Sequence, residues 1–368
     1  MGTGVTQRDA DRVRRIFVFP RWEQNPYLTL LYLAAEAAGW EILGSVGVPG
    51  LTNAVAERLQ SGDVVHVHWT APITRDAATL EDAMERVQAF DDLLGRARAA
   101  GVHVLWTVHN ELAHDTPFVE AELALNEVLG RRASRVIQLH DRTADFVAPG
   151  TRLPREKLVT IRHASYAGVY PELPSREEAR ELLGVPAGVP TVGLVGQLRP
   201  YKGVDLLLEA AGIAAKTLPE LTVLLAGRTD PDQVAVIDAL VPANVWVVRH
   251  HDFLPDEEIG AWIQASNVLA LPYRRILNSG SALLAATLAR PVILPDDTPL
   301  VDVYAGQPWV ASYPAGEGAA EALAEQLVRL APGDAAREKA ARDFAWDYTP
   351  YDMSREFLRL LDQLEDER

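Results

Sequence analysis

The chain has 368 residues, more than one hydrophobic core usually serves, and its 48% hydrophobic and 23% charged residues exclude a disordered or fibrous protein. A formal charge of −16 argues against a nucleic-acid partner, and the absence of cysteine excludes disulfides and thiolate metal sites, so a cytoplasmic setting is expected. The opening MGTGVTQRDADRVRR lacks the apolar region of a secretory signal, and no apolar run approaches the roughly 18 residues of a membrane span.

Along the first half, RIFVFP, DVVHVHW, HVLWTVH, RVIQLH and KLVTIRH read as buried strands, and helical patterns at Pro26–Gly39 and Ala77–Ala100 alternate with them. Asn25 is an expected N-cap with Pro26 at the first helical position, a complete structural account unless the helix end faces a ligand. HVHW places His66 and His68 on one strand face, but no third ligand stands at a spacing suited to zinc. After the strand ending in TVHN, the polar groups His109, Asn110, Glu111, His114 and Asp115 crowd one strand end, where a carboxylate or imidazole can take a proton from a hydroxyl. GRRASR at 130–135 reads either as a solvated helix end or as a contact to an anionic membrane surface.

The Pro- and Gly-rich stretch 166–190 marks the linker between this series and a second one, TVGLVG, LTVLLAG, NVWVVRH, VLALPY and PVILP, with helices near 204–217, 256–265 and 281–289. Two α/β domains with doubly wound parallel sheets follow, spanning 1–165 and 166–345. Strand 191–196 feeds QLRPYKG, so Arg199 and Lys202 sit at a strand's carboxyl end before a helix; a phosphate site and a solvated turn fit that stretch equally. The segment LNSGSALLAATLARPVILP supplies Ser279 as an N-cap with Ala282, not Glu, three places on, leaving the amides of Gly280 and Ser281 open to an anion. There is no P-loop, GSVGVPG has the wrong spacing for a dinucleotide fingerprint, and the Asp-x-Asp triplet at 230–232 is no more than an acidic chain produces by chance, so no metal is expected.

The motifs NPYLTLLY, DVVHVHW, TVHN, LRPYKGVDLLLEA and LPYRRILNSGSALLAATLARPVI, spread over residues 25–293, together resemble those of GT-B-fold glycosyltransferases. They are most similar to the xanthan-type GDP-mannose:glycolipid β-1,4-mannosyltransferases. The resemblance implies two Rossmann-like domains facing across a cleft and a C-terminal helix, within 346–368, that crosses back to the first domain. It implies a nucleotide-diphosphate sugar as donor, with Arg199, Lys202, Ser279, Gly280, Ser281 and the adjoining Asn278 and Arg274 near its diphosphate. It also implies that the loop near Arg228 and the loop HDFLP, 251–255, with Phe253, meet its base. It places the acceptor, a glycan, glycolipid or small molecule, against Asn25, Tyr27, His68, Trp69 and Asn110.

Two glutamates eight positions apart, common in retaining members, fall at Ile276 and Leu284 here. This departure favours inversion, with Asp115 as the first candidate base, Glu111 as the second and His109 assisting or touching the donor sugar. A retaining transferase with another donor and a noncatalytic sugar-nucleotide-binding protein are the alternatives.

Overall fold

The structure, a computed structural model, describes residues 12–113, 116–170 and 173–367, so Asp115 and His114 lie outside the described residues. The chain divides into two compact units, residues 1–163 with 350–368 and residues 164–349. Each holds one six-stranded parallel sheet, and the architecture is the GT-B fold.

The first sheet has the order β2-β1-β3-β4-β5-β6, with β1 Arg15–Phe19, β2 Glu41–Gly44, β3 Val64–Val67, β4 His103–Val108, β5 Arg135–Gln138 and β6 Leu158–Thr160. β1 pairs with β2 on one side and β3 on the other, so the chain reverses its course across the sheet between β1 and β3. The second sheet has the order β12-β11-β10-β7-β8-β9, with β7 Thr191–Val195, β8 Thr222–Ala226, β9 Trp246–His250, β10 Val268–Ala270, β11 Val292–Pro295 and β12 Val310–Tyr313. Its reversal lies between β7 and β10, paired through Val268 and Val192. Open α/β sheets form crevices at the carboxyl ends of the strands flanking such a reversal.

Helices cover the sheets because parallel strands, buried on both faces, read as continuous apolar runs. In the second unit, helices Val204–Ala214 and Ala319–Leu330 pack on one another and on the sheet through Leu207, Leu208, Leu323 and Leu327, all fully buried. Each such leucine contributes about 1.5–3 kcal/mol of burial. Helix Arg176–Leu183 occupies the middle of the Pro- and Gly-rich stretch, closed by a Ser175–Glu178 capping box and ended by Gly184 with a positive φ. Helix Ala335–Asp347 packs on Gly280–Thr287 within the second unit. The C-terminal helix Pro350–Asp366 belongs to the first unit, where it lays Met353, Phe357, Leu360, Leu361 and Leu364 against helix Pro26–Ala37. Among the described residues, no helix is long and apolar enough to cross a membrane.

One backbone contact fixes the loop that leaves β7. Gly203 has φ +67°, and a Cβ there would stand 2.1 Å from the carbonyl oxygen of Pro272. Gly306 has a similar φ of +76° with nothing near its missing side chain. Gly203→Ala is expected to lower unfolding stability in urea by about 1–3 kcal/mol more than Gly306→Ala, because both strain φ but only the first collides with the neighbouring loop.

Candidate active site

In the second unit, the loops leaving β7 and β10 meet at the sheet reversal. From β7 the chain passes through Gly196 and Arg199 into a short turn, Pro200–Lys202, and then helix Val204–Ala214. From β10 it passes Tyr273 and Arg274 to Ser279, the N-cap of helix Gly280–Thr287. The loops are fastened together: the Arg274 N–H donates to the Tyr201 carbonyl at 2.8 Å, and its guanidinium donates to the Pro200 carbonyl at 3.0 Å and pairs with Asp205.

Both loops present polar groups to Gly196. A Cβ built there would lie 3.0 Å from Lys202 Nζ and 3.7 Å from Ser281 Oγ, so the glycine leaves room for a small group in reach of both. Ser279 Oγ accepts the Ala282 N–H at 3.1 Å and shares a hydrogen bond of 3.1 Å with the Tyr273 hydroxyl. The Gly280 and Ser281 amides stand at the helix start, where backbone N–H groups have no intrahelical acceptor and the helix dipole is positive. Lys202 is buried, and desolvation first, with the Arg199 guanidinium second, holds its ammonium down to about 8. An anion placed among these groups relieves that penalty, which is the physical definition of an anion site.

The neighbouring strand ends lie beside this niche. The Arg228 carbonyl accepts the Leu198 N–H at 2.9 Å, while the Arg228 side chain is exposed. Thr229 Oγ1 and His251 Nδ1 are 2.9 Å apart, tying the loop after β8 to the loop after β9, and Phe253 in that second loop is 61% exposed. Asn278 is half-buried in the loop just before the Ser279 cap.

In the first unit, the strand ends at the β1–β3 reversal carry an aromatic stack. Trp22 follows β1, Trp69 follows β3 and His109 follows β4. Trp22 lies 4.5 Å from Trp69 between ring centroids, and Trp69 stacks on His109 at 4.3 Å. Tyr27 meets His109 edge-on at 5.1 Å and lies 4.8 Å from His163. Asn25 accepts the Tyr27 N–H at 3.1 Å, so the expected cap is formed. Glu111 and Asn110 are half-buried beyond the end of β4. Their loop is braced by Glu122, a carboxylate raised by burial, which accepts from Thr70 at 2.7 Å, Thr74 at 3.2 Å and the Ala113 amide at 3.4 Å.

Two of the residues expected to touch an acceptor are placed deeper than the sequence implies. Tyr27 is 3% and His68 2% exposed. Both ring nitrogens of His68 are engaged internally, Nε2 with Tyr32 at 2.7 Å and Nδ1 with His109 at 3.0 Å. Trp69 and Asn25 are half-buried. The basic cluster near 130–135 is committed to pairs inside its unit: Arg131 and Arg132 hold Asp91, and Arg135 holds Glu367. Trp22, Tyr32, Thr107, Glu122, His163 and Tyr273 were not singled out by the sequence. The paired histidines of HVHW and His109 of TVHN signalled members of the imidazole cluster, but not their contact, because they arrive on separate elements.

Residues 189–332 match the family described as glycosyl transferases group 1. The chain is 26% identical, over 330 residues, to the GDP-mannose:glycolipid 4-beta-D-mannosyltransferase of Xanthomonas campestris pv. campestris, covering 88% of this chain and 86% of that enzyme. It is also 26% identical over 310 residues to the D-inositol 3-phosphate glycosyltransferase of Rhodococcus erythropolis, covering 79% of this chain and 63% of that enzyme. Among solved structures, Anabaena Alr3699/HepE in complex with UDP-glucose superposes with a TM-score of 0.70 at 14% identity, over 95% of this chain and 99% of that one.

Lys202→Met should raise the melting temperature of the ligand-free protein, since it removes a buried cation that folding has to desolvate. In calorimetry the same change should weaken binding of a nucleoside diphosphate by about tenfold to a hundredfold, the range of one charged hydrogen bond. Because the free ammonium titrates near pH 8, wild-type affinity should hold steady below that pH. Above it, affinity should fall by up to about tenfold per pH unit, as one proton must be taken up on binding.

Proposed function

We propose that this glycosyltransferase, whose residues 189–332 belong to the glycosyl transferases group 1 family, moves a sugar from a nucleoside diphosphate to an acceptor hydroxyl, with inversion and without a metal ion. The observation that carries this reading is the meeting of Lys202, Arg199 and the start of helix Gly280–Thr287 at the carboxyl ends of β7 and β10. As the bond between the anomeric carbon and the phosphate oxygen breaks, negative charge grows on the departing diphosphate. Fixed cations and amides there favour the transition state over the ground state, the work that a divalent cation does in other transferases.

The acceptor oxygen attacks the anomeric carbon from the face opposite the leaving group, and its proton passes to a base of the first unit. Asp115 is the first choice and Glu111 the second, with His109 beside them in sequence. Inversion is supported by the apolar side chains of Ile276 and Leu284, which have no group able to stabilise a retained configuration or bond a ribose. The Xanthomonas relative supports mannose carried on guanosine diphosphate as the donor and a glycolipid as the acceptor. The UDP-glucose held by the Anabaena protein favours a second reading, a uridine donor. The exposed Phe253 and Arg228, beside the proposed diphosphate site, are the residues proposed to meet the base.

A ligand specific to the native state raises the melting temperature. GDP and GDP-mannose are therefore expected to stabilise the protein more than UDP and UDP-glucose, equally with magnesium or with a chelator present. A larger shift with the uridine nucleotides would reverse the donor assignment, and a shift that needs magnesium would remove the metal-free mechanism. Asp115→Asn should keep the GDP-mannose shift while lowering transfer by about a hundredfold to ten-thousandfold, the usual contribution of a general base. Transfer at the wild-type rate would move the role to Glu111.

A further inference from the structure

Tyr273 reaches both halves of the niche at Gly196 from a buried position, 4% exposed. It follows β10 in a tight turn, closed by its own amide donating to the Leu271 carbonyl at 2.8 Å. Its ring lies under the Lys202 ammonium, with 5.9 Å between Nζ and the ring centroid, a distance at which an aromatic face attracts a cation. Tyr201, in the same turn as Lys202, packs against it with 6.2 Å between centroids. At the far end of the ring, the hydroxyl shares a hydrogen bond of 3.1 Å with Ser279 Oγ and bonds the Ser281 side chain as well. One side chain therefore spans from the loop after β7 to the start of helix Gly280–Thr287.

A phenol has one proton and two lone pairs, so it can bond both serines at once. Burial raises the Tyr273 pKa, against the opposing effect of the two serine bonds, so the phenol keeps its proton at neutral pH. Ser279 Oγ accepts the Ala282 N–H at 3.1 Å and still has a proton to give. When Ser279 donates to Tyr273 and Tyr273 donates to Ser281, the Ser281 proton is left for a third partner. The three protons can be arranged in other ways, but an anion beside Gly196 favours this one, because here Ser281 has a proton to donate to it. Ser281 Oγ is placed for that role: a Cβ at Gly196 would stand 3.7 Å from it and 3.0 Å from Lys202 Nζ. A serine hydroxyl has three staggered positions to choose from, and the bond to Tyr273 favours one of them.

We propose that Tyr273 is a positioning residue of the diphosphate site, holding the Ser281 hydroxyl and the Lys202 ammonium on one small volume beside Gly196, so that Ser281 donates to a phosphate oxygen that Lys202 also meets. The proposal rests on the reading that this niche takes the diphosphate of the donor. A hydroxyl donating to a charged phosphate oxygen makes a stronger bond than it makes to a neutral acceptor. More of that bond appears as affinity when the hydroxyl is aimed before the ligand arrives, since less side-chain freedom is lost on binding. The role differs from that of Arg274, whose guanidinium is engaged by the Pro200 carbonyl and Asp205 and fastens the two loops to each other. Tyr273 instead sets the side chains of Ser281 and Lys202.

Calorimetric affinities for GDP and UDP in a double-mutant cycle test this, with melting temperatures showing that each variant is folded. Tyr273→Phe keeps the ring beside Lys202 and removes only the hydroxyl. It should weaken the better-bound nucleotide by about threefold to tenfold in the wild-type background, and by less than about twofold where Ser281 is already alanine, because no hydroxyl is then left to aim. Ser281→Ala alone should weaken binding by about tenfold to a hundredfold, and Ser281→Thr, which keeps a hydroxyl, should restore most of the loss. An equal loss from Tyr273→Phe in both backgrounds would mean that the residue only stiffens the loop, and would overturn the proposal, as would no loss in either. If Tyr273→Phe does not fold, the Ser281 pair decides: a loss that threonine restores supports the proposal, and unchanged affinity in Ser281→Ala leaves Tyr273 nothing to position and overturns it. A wild type that binds neither GDP nor UDP would remove the donor reading and this proposal together, whereas a wild type that binds, with additive losses in the cycle, removes the proposal alone.

Discussion

Two parallel strands can be neighbours only if the chain returns to the same end before starting the second, and that return is long enough to form a helix covering the sheet. Everything else in this protein follows from that constraint. It collects all the strand-to-helix loops of a unit at one edge, it aims helix N-termini at that edge, and it buries the sheet faces so that only the edge is left to meet ligands. Where the chain reverses its course, two of these loops diverge and leave a crevice. The reversal between β7 and β10 holds Lys202, Tyr273 and the Ser279–Ser281 turn; the reversal between β1 and β3 holds Trp22 and Trp69, with His109 on the next strand.

The two crevices are built on opposite electrostatic principles. In the second unit, a cation is held where it is uncomfortable: Lys202 is desolvated and has a guanidinium for a neighbour, a penalty that a neighbouring anion would relieve. In the first unit, the strand ends are backed by a cluster of neutral groups. Three buried imidazoles and a phenol stay neutral and exchange hydrogen bonds, and their burial disfavours a charge on any of them. Stabilising an anion needs fixed charge, whereas moving a proton needs groups able to change protonation.

Support for both crevices comes from well-packed surroundings. Gly203 lets the Pro200–Lys202 turn sit against the Pro272 carbonyl, and Arg274 clamps the same two loops by three contacts. In the first unit, Glu122 holds the start of the loop after β4 to residues 70 and 74, and Phe357 of the C-terminal helix stacks on His66. The C-terminal helix thus joins the first unit as part of the wall around its most polar buried cluster.

The sequence by itself determined the fold class, because runs such as TVGLVG and LTVLLAG are apolar without alternation, which only a strand buried on both faces tolerates, and turn residues punctuate them. It also determined the Arg199–Lys202 turn and the Ser279 cap, since glycine, proline and serine announce local geometry within a few residues. What only the tertiary structure decided is who meets whom across elements. Tyr32, on helix Pro26–Ala37, places its hydroxyl between His66 and His68, and nothing in NPYLTLLY or HVHW encodes that pairing. The same holds for the depth of Lys202: its charge is written in the chain, but the burial that lowers its pKa belongs to the packing of two loops far apart in sequence. Local conformation depends on neighbours along the chain, whereas protonation and reactivity depend on neighbours in space.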